Sequence, residues 1–259
     1  MRILRWVLLG LLAVAILVSV AYARDMKQAY ERVRAGGTVI PSPYGDIEFT
    51  QGGAGPDVLV IHGSGGGYDQ GELIAGAVLG DGFHWVTPSR FGYLRSSFHE
   101  GATWDDQAHA YAALLDSLDI DEVAVVAMSQ GGPSALLFAV LYPERVSSLT
   151  LISCGVAASQ AEDQAEANAK GDRLVTIFEH DIVYWMIAKF FRKQLMELIG
   201  VSPEVFAGMT DEQRRLAEVG ALNAFGLTRR SALWQVEKAG RPRGPLLRGE
   251  EPEEASPVP

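Results

Sequence analysis

The chain has 259 residues, 48% of them hydrophobic and 21% charged, a balance that suits one globular domain with a sizeable core. Its 32 acidic residues outnumber its 22 basic ones for a formal charge of −10, which excludes the basic footprint of a nucleic-acid binder. The single cysteine, Cys154, rules out an intramolecular disulfide and a cysteine-based metal site, and there is no H-E-x-x-H, P-loop or EF-hand pattern; no metal or other cofactor is expected.

The N-terminus reads as a targeting segment. Arg2 and Arg5 precede 18 uncharged residues from Trp6 to Ala23, and Ala21-Tyr22-Ala23 offers small residues at the two positions a signal peptidase reads. No polar face interrupts the segment, which argues against a buried core helix. Residues 1–23 are therefore expected to direct export, either cleaved after Ala23 or retained as a membrane anchor through residues 6–23. Arg24, Lys27, Arg32 and Arg34 follow the segment, so flanking charge does not choose between the two.

Residues 24–155 carry the signs of an α/β core. Asp25 to Arg34 is polar and helix-favouring, a spacer or a first exposed helix. Thr38–Ile40 and Asp46–Phe49 flank Pro41-Ser42-Pro43-Tyr44-Gly45 and read as a hairpin. Val58–Ile61 is a continuous β-branched run, as expected of a strand buried on both faces, and it ends in His62 and a glycine-rich loop. His84–Thr87 is a strand stopped at Pro88. A helix follows from Thr103, its N-cap, with Asp105 and Asp106 in the first turn and Ala108, Tyr111, Ala112 and Leu115 on one face. Val123–Met128 reads as a second doubly buried strand, Gly131–Tyr142 as a helix closed by Pro143, and Val146–Cys154 as a further strand. Strands alternating with helices predict a doubly wound, mostly parallel sheet with ligands at its carboxyl edge.

Residues 156–238 read as helices only, forming a cap. Gln160–Lys170 is polar and rich in alanine, and Leu174–Ile199 carries Phe178, Tyr184, Trp185, Met186, Phe190 and Phe191. Thr210 with Gln213 is a capping-box signature. Aromatic residues at helical spacing are first of all core, and over the active edge they would also line an apolar acyl pocket. Residues 239–259 hold 5 of the 12 prolines and almost nothing apolar, a tail expected to be disordered.

Two motifs carry the chemistry. Ala127-Met128-Ser129-Gln130-Gly131-Gly132 lies between a strand and a helix, where a tight turn lifts a serine hydroxyl out of the sheet. Ala127 stands where the usual G-x-S-x-G pattern has its first glycine. Small residues are needed there because the turn brings two backbones together, and the helix N-terminus favours a developing oxyanion. Ser129 is the expected nucleophile; a helix N-cap serine would need no doubled glycine. His62-Gly63-Ser64-Gly65-Gly66-Gly67 is the second motif. Acyl transfer needs two backbone N–H donors aimed at one oxygen, expected from Gln130 and Ser64. A dinucleotide site fails on spacing, since G-x-G-x-x-G requires glycine where Tyr68 stands. His62 reads as a loop brace rather than a base.

The stretches Val58–Gly67, Pro88–Ser96, Ala127–Gly132 and Tyr142–Val146 together resemble the α/β-hydrolase superfamily, in particular its single-domain esterase, lipase and carbon–carbon-bond hydrolase branches. The resemblance covers about residues 37–155, with 155–238 similar to the variable helical cap. It implies an enzyme acting on a small acyl substrate such as a carboxylic ester, in which the serine attacks a carbonyl, a late histidine is the base and an aspartate orients it. A serine at the turn sets the chain apart from the branches that use aspartate there.

One departure stands out. In this superfamily the acid and then the histidine follow further strands beyond the cap. Here nothing after Val236 reads as a strand, and no histidine follows His180. A serine without its base is a weak nucleophile. Three readings follow: a serine hydrolase truncated or frame-shifted before those strands; a non-catalytic binding or partner-dependent version of the fold; or a chain in which His99 or His180 substitutes as base. With those strands missing, the edge at Val146–Leu151 is expected to stay open and to favour self-association.

Overall fold

The computed structural model describes residues 2–154, 180–198, 202–211 and 213–214. Helix α1 (Arg2–Gly36) leads into strands β1 (Thr38–Ile40), β2 (Ile47–Gly53) and β3 (Asp57–Ile61). Helix α2 (Tyr68–Val78), β4 (His84–Pro88), α3 (Trp104–Ser117) and β5 (Val123–Met128) follow. A short 3-10 turn at Ser129–Gly131 then opens α4 (Gly132–Leu141), and β6 (Val146–Ile152) completes the sheet. Beyond it lie α5 (Asp181–Phe190), α6 (Arg192–Leu198) and α7 (Pro203–Gly208).

The six strands lie in the order β1-β2-β4-β3-β5-β6. The hairpin partners β1 and β2 are antiparallel, as is β2 to β4, whereas β4, β3, β5 and β6 run parallel. This is the mostly parallel α/β sheet that the alternation of elements predicts. Alternate residues of its central strands enter two cores. Leu59, Ile61, Val123, Val125 and Ala127 pack on one face with Tyr111, Leu114, Leu115 and Phe138 of α3 and α4. Val58, Val60 and Val126 pack on the other with Ile74 and Ala75 of α2. Burial on both faces is why β3 and β5 read as unbroken apolar runs rather than alternating ones.

Several local expectations are met in detail. Thr103 caps α3 in a full capping box with Asp106, and Ala108, Tyr111, Ala112 and Leu115 are all buried. Thr210 and Gln213 exchange the two capping hydrogen bonds, at 2.9 and 3.2 Å.

Other elements differ from the sequence reading. The spacer after the apolar segment is not separate: α1 runs unbroken through both, and Val33, near its end, is buried and accepts a 2.8 Å hydrogen bond from the Tyr68 hydroxyl. Helix α2 carried no sequence signal, because Gly71 and Gly76 lower its helix propensity. Gly71 has a packing reason, since a Cβ there would fall 2.6 Å from Thr87 Cβ. The aromatic helix breaks at Phe191, whose backbone leaves the helical region without proline or glycine to announce it. The last strand ends at Ile152, two residues short of Cys154. Phe178, the segment Gln160–Lys170 and the tail at 239–259 lie outside the described residues. Among the described residues β6 pairs with β5 alone.

Candidate active site

The register sets the site. Ile61 of β3 lies beside Ala127 of β5, so His62-Gly63 and Met128-Ser129 leave the sheet side by side. Leu59 pairs with Val86, which brings the residues after β4 to the same edge. Ile152 of β6 lies beside Met128, so Ser153 and Cys154 emerge next to Ser129. Four loops therefore meet at the carboxyl edge of the parallel strands.

Ser129 adopts φ +50°, a left-handed conformation that a serine enters only at a cost of about 1–2 kcal/mol. The turn packs tightly against β3. A Cβ on Gly131 would fall 2.7 Å from His62 O and 2.8 Å from Ile61 O, and one on Gly63 would fall 3.1 Å from Ser129 Cβ. The two motifs that lie far apart in sequence are thus in van der Waals contact. The 3-10 turn passes directly into α4, so the amides of its first residues lie at a helix N-terminus, where negative charge is favoured.

His62 is fully buried, and its tautomer follows from its partners. The Arg90 amide donates to Nε2 at 2.9 Å, so the ring proton sits on Nδ1, which donates to Gly63 O at 2.7 Å. Burial, reinforced by the Arg90 charge, holds the ring well below the ordinary histidine value, against the pull of the Gly63 bond. The imidazole is neutral, and both its nitrogens are occupied by the loop.

Arg90 is the residue that the sequence reading passed over. It is 2% exposed, and its guanidinium donates to Gly63 O at 2.9 Å and to Gln130 O at 3.1 Å, so one side chain joins both motif loops. It also donates to the Tyr93 hydroxyl at 3.3 Å and lies 4.9 Å from that ring's centroid. Among the described residues no carboxylate pairs with it. Gln70 completes the frame by accepting the Gly63 amide at 2.9 Å. Arg90 and Tyr93 stand in the stretch Pro88–Ser96, but nothing in the local pattern marks an arginine after a strand as buried.

The two candidate substitute bases have these surroundings. His99 lies edge-on to Phe91, with centroids 6.1 Å apart, and His180 precedes α5 and is exposed. Among the described residues neither makes a hydrogen bond to Ser129. His84 binds Asp57 at 2.5 Å at the amino end of β3 and β4, and His109 binds the Tyr142 hydroxyl at 2.7 Å. The Cys154 thiol beside the site points its weak donor at Ala127 O, 3.4 Å away, and burial raises it above the ordinary thiol value. No group of three or more metal-ligating side chains gathers among the described residues.

Comparison with known proteins places this geometry. The sequence model of the family described as the alpha/beta hydrolase fold matches residues 56–203. An uncharacterized hydrolase, YcgS, from Bacillus subtilis is 42% identical over 109 residues, covering 42% of this chain and 38% of that protein. A 2-hydroxy-6-oxononadienedioate/2-hydroxy-6-oxononatrienedioate hydrolase from Paraburkholderia phymatum is 33% identical over 147 residues, covering 53% of this chain and 48% of that protein. The chain spans less than half the length of these relatives. Among solved structures, an alpha/beta hydrolase fold protein from Nakamurella multipartita superposes with a TM-score of 0.57 at 24% identity, covering 76% of this chain and 72% of that one. The sheet order, the strained serine turn and a family match over more than half of the sequence agree: the chain belongs to the alpha/beta hydrolase fold family.

Proposed function

We propose that the chain is a serine hydrolase of this family acting on a carboxylic ester or similar acyl compound, with Ser129 as nucleophile and the Gln130 and Ser64 amides as oxyanion donors. The observation that carries the reading is the left-handed Ser129 on a strand-to-helix turn, pressed against the Gly63 loop. Oγ attacks the carbonyl carbon as its proton passes to solvent water, the negative charge that develops on the carbonyl oxygen is met by two fixed N–H groups, and the carbonyl re-forms as the alcohol leaves. In a trans peptide C=O and N–H point opposite ways. With Gly63 O drawn towards His62 and Arg90, the Ser64 N–H of the same peptide faces away from both. Arg90 is thus a positioning residue for the loop donor. The relatives named for 2-hydroxy-6-oxo-dienoate substrates extend the candidate substrates to carbon–carbon bonds next to a carbonyl.

A second reading is a non-catalytic or partner-dependent version of the fold. It is favoured by the engagement of His62, His84 and His109 with other partners. The two readings separate in one experiment, in which the purified chain is incubated with p-nitrophenyl acetate and followed by released nitrophenolate and by intact mass. The hydrolase reading expects a single acetyl adduct that disappears in Ser129→Ala. No adduct at Ser129 refutes it. Rapid turnover that is lost in His99→Ala or His180→Ala would identify a substitute base.

The long helix α1 supports a role in export or anchoring. Among the described residues none of its apolar window is buried, and Trp6–Ala23, at 1.5 Å per residue, reaches about 27 Å, close to the thickness of a bilayer core.

A further inference from the structure

Helix α5 is tied to α1 at one level. Asp25 accepts from Trp185 Nε1 at 3.0 Å and pairs with Lys189 at 2.7 Å, and Tyr22 meets the Trp185 ring edge-on at 5.5 Å. Tyr22 and Asp25 flank Ala23, where the uncharged stretch ends. Helix α5 therefore docks at the depth where α1 would leave a bilayer.

The faces of α5 are sorted to match. Tyr184, Trp185 and Ala188 are buried on one side. The exposed positions 182, 186, 189 and 190 fall within one face at helical spacing. Three of them are Ile182, Met186 and Phe190, the last 61% exposed, and the one charge, Lys189, is already neutralised by Asp25. An exposed apolar face with its cation paired is poorly matched to water, and it suits the headgroup–acyl boundary, where aromatic and aliphatic side chains of interfacial helices reside.

We propose that the Ile182–Met186–Phe190 face of α5 lies in the interfacial layer of a lipid bilayer, held at that depth by the Asp25 clamp to α1. The proposal rests on α1 acting as a retained membrane anchor. It places a helix of the segment 156–238, which the sequence reading assigns to a cap, against lipid.

The full chain, with Cys154→Ser to remove the native thiol, is reconstituted in vesicles of phosphatidylcholine and phosphatidylglycerol. An environment-sensitive fluorophore is attached in turn at Met186→Cys, at Ala13→Cys within the anchor, and at Glu144→Cys at the amino end of the sheet. Nitroxide-labelled lipids then report depth. The expected result is quenching at Met186, strongest with the nitroxide near the headgroups and several-fold above that at Glu144, together with deep quenching at Ala13. Asp25→Ala should weaken quenching at Met186 and leave Ala13 unchanged. Quenching at Ala13 with Met186 no different from Glu144 overturns the proposal while the anchor stands. Absence of quenching at Ala13 removes the anchor and the proposal with it. Unchanged Met186 quenching in Asp25→Ala overturns the clamp.

Discussion

Arg90→Met tests whether the buried guanidinium positions the oxyanion loop or merely fills space. Methionine keeps most of the aliphatic stem and removes the donors. Three charge-assisted bonds are lost, to Gly63 O, Gln130 O and, at 3.3 Å and weaker, the Tyr93 hydroxyl, each of the first two of a kind worth about 1.5–3 kcal/mol. Gly63 O keeps the His62 bond, whereas the Gln130 carbonyl loses its Arg90 donor, at about 1–3 kcal/mol. Against this, removing a cation that is 2% exposed and has no carboxylate partner recovers several kcal/mol of desolvation. The balance is a modest loss of about 1–3 kcal/mol, and for a chain of this size each kcal/mol lowers Tm by about 2–4 °C. The chemical effect should be larger, because a displaced oxyanion donor costs about 10²–10³-fold in rate. The assay pairs scanning calorimetry with the rate of Ser129 acetylation by p-nitrophenyl acetate. A folded Arg90→Met protein that acetylates at the parent rate would refute the positioning role; a protein that does not fold would show the guanidinium to be structural, and Arg90→Lys, which can still reach one carbonyl, would then be compared.

His62 has a folded pKa below its ordinary value of 6.5, so below that pH the unfolded chain takes up a proton that the native chain refuses. Its contribution to stability is therefore complete above 6.5 and falls as pH drops below it, by up to about 1.4 kcal/mol per pH unit; urea titrations should show a shallower acid slope in His62→Gln, and equal slopes would contradict the neutral buried ring. Ser129→Gly should stabilise the fold by up to about 1 kcal/mol, since glycine accepts φ +50° without strain, while abolishing acetylation; a loss of stability would mean that the turn is not strained. Among the described residues one side of β6, with half-buried Leu149, Leu151 and Ile152, is unpaired, and it should pair with a second copy. Sedimentation should then show concentration-dependent association, whereas a monomer with strongly protected amides across Val146–Ile152 would mean that another part of the chain completes the sheet.

What the sequence determined by itself is local. The doubly buried strands β3 and β5, the Thr103 and Thr210 caps and the serine turn with its paired glycines are set by side-chain period, capping chemistry and backbone freedom, which act over a few residues. Alternation of strands and helices then limits the topology, because parallel strands need crossovers of one hand. The tertiary structure decided what depends on register between distant segments. Only the pairing of Ile61 with Ala127 puts Gly63 against Ser129, and only the placement of β4 beside β3 buries Arg90 between the two loops. His62 could be read as a loop residue, but its tautomer and depressed pKa come from the Arg90 amide and charge, 28 residues away. The clamp of Asp25 to Trp185 and Lys189 joins residues 160 and 164 apart and has no local signature. Side-chain pattern fixes which face of an element is apolar; which neighbour that face meets is settled only when the whole sheet has closed around it.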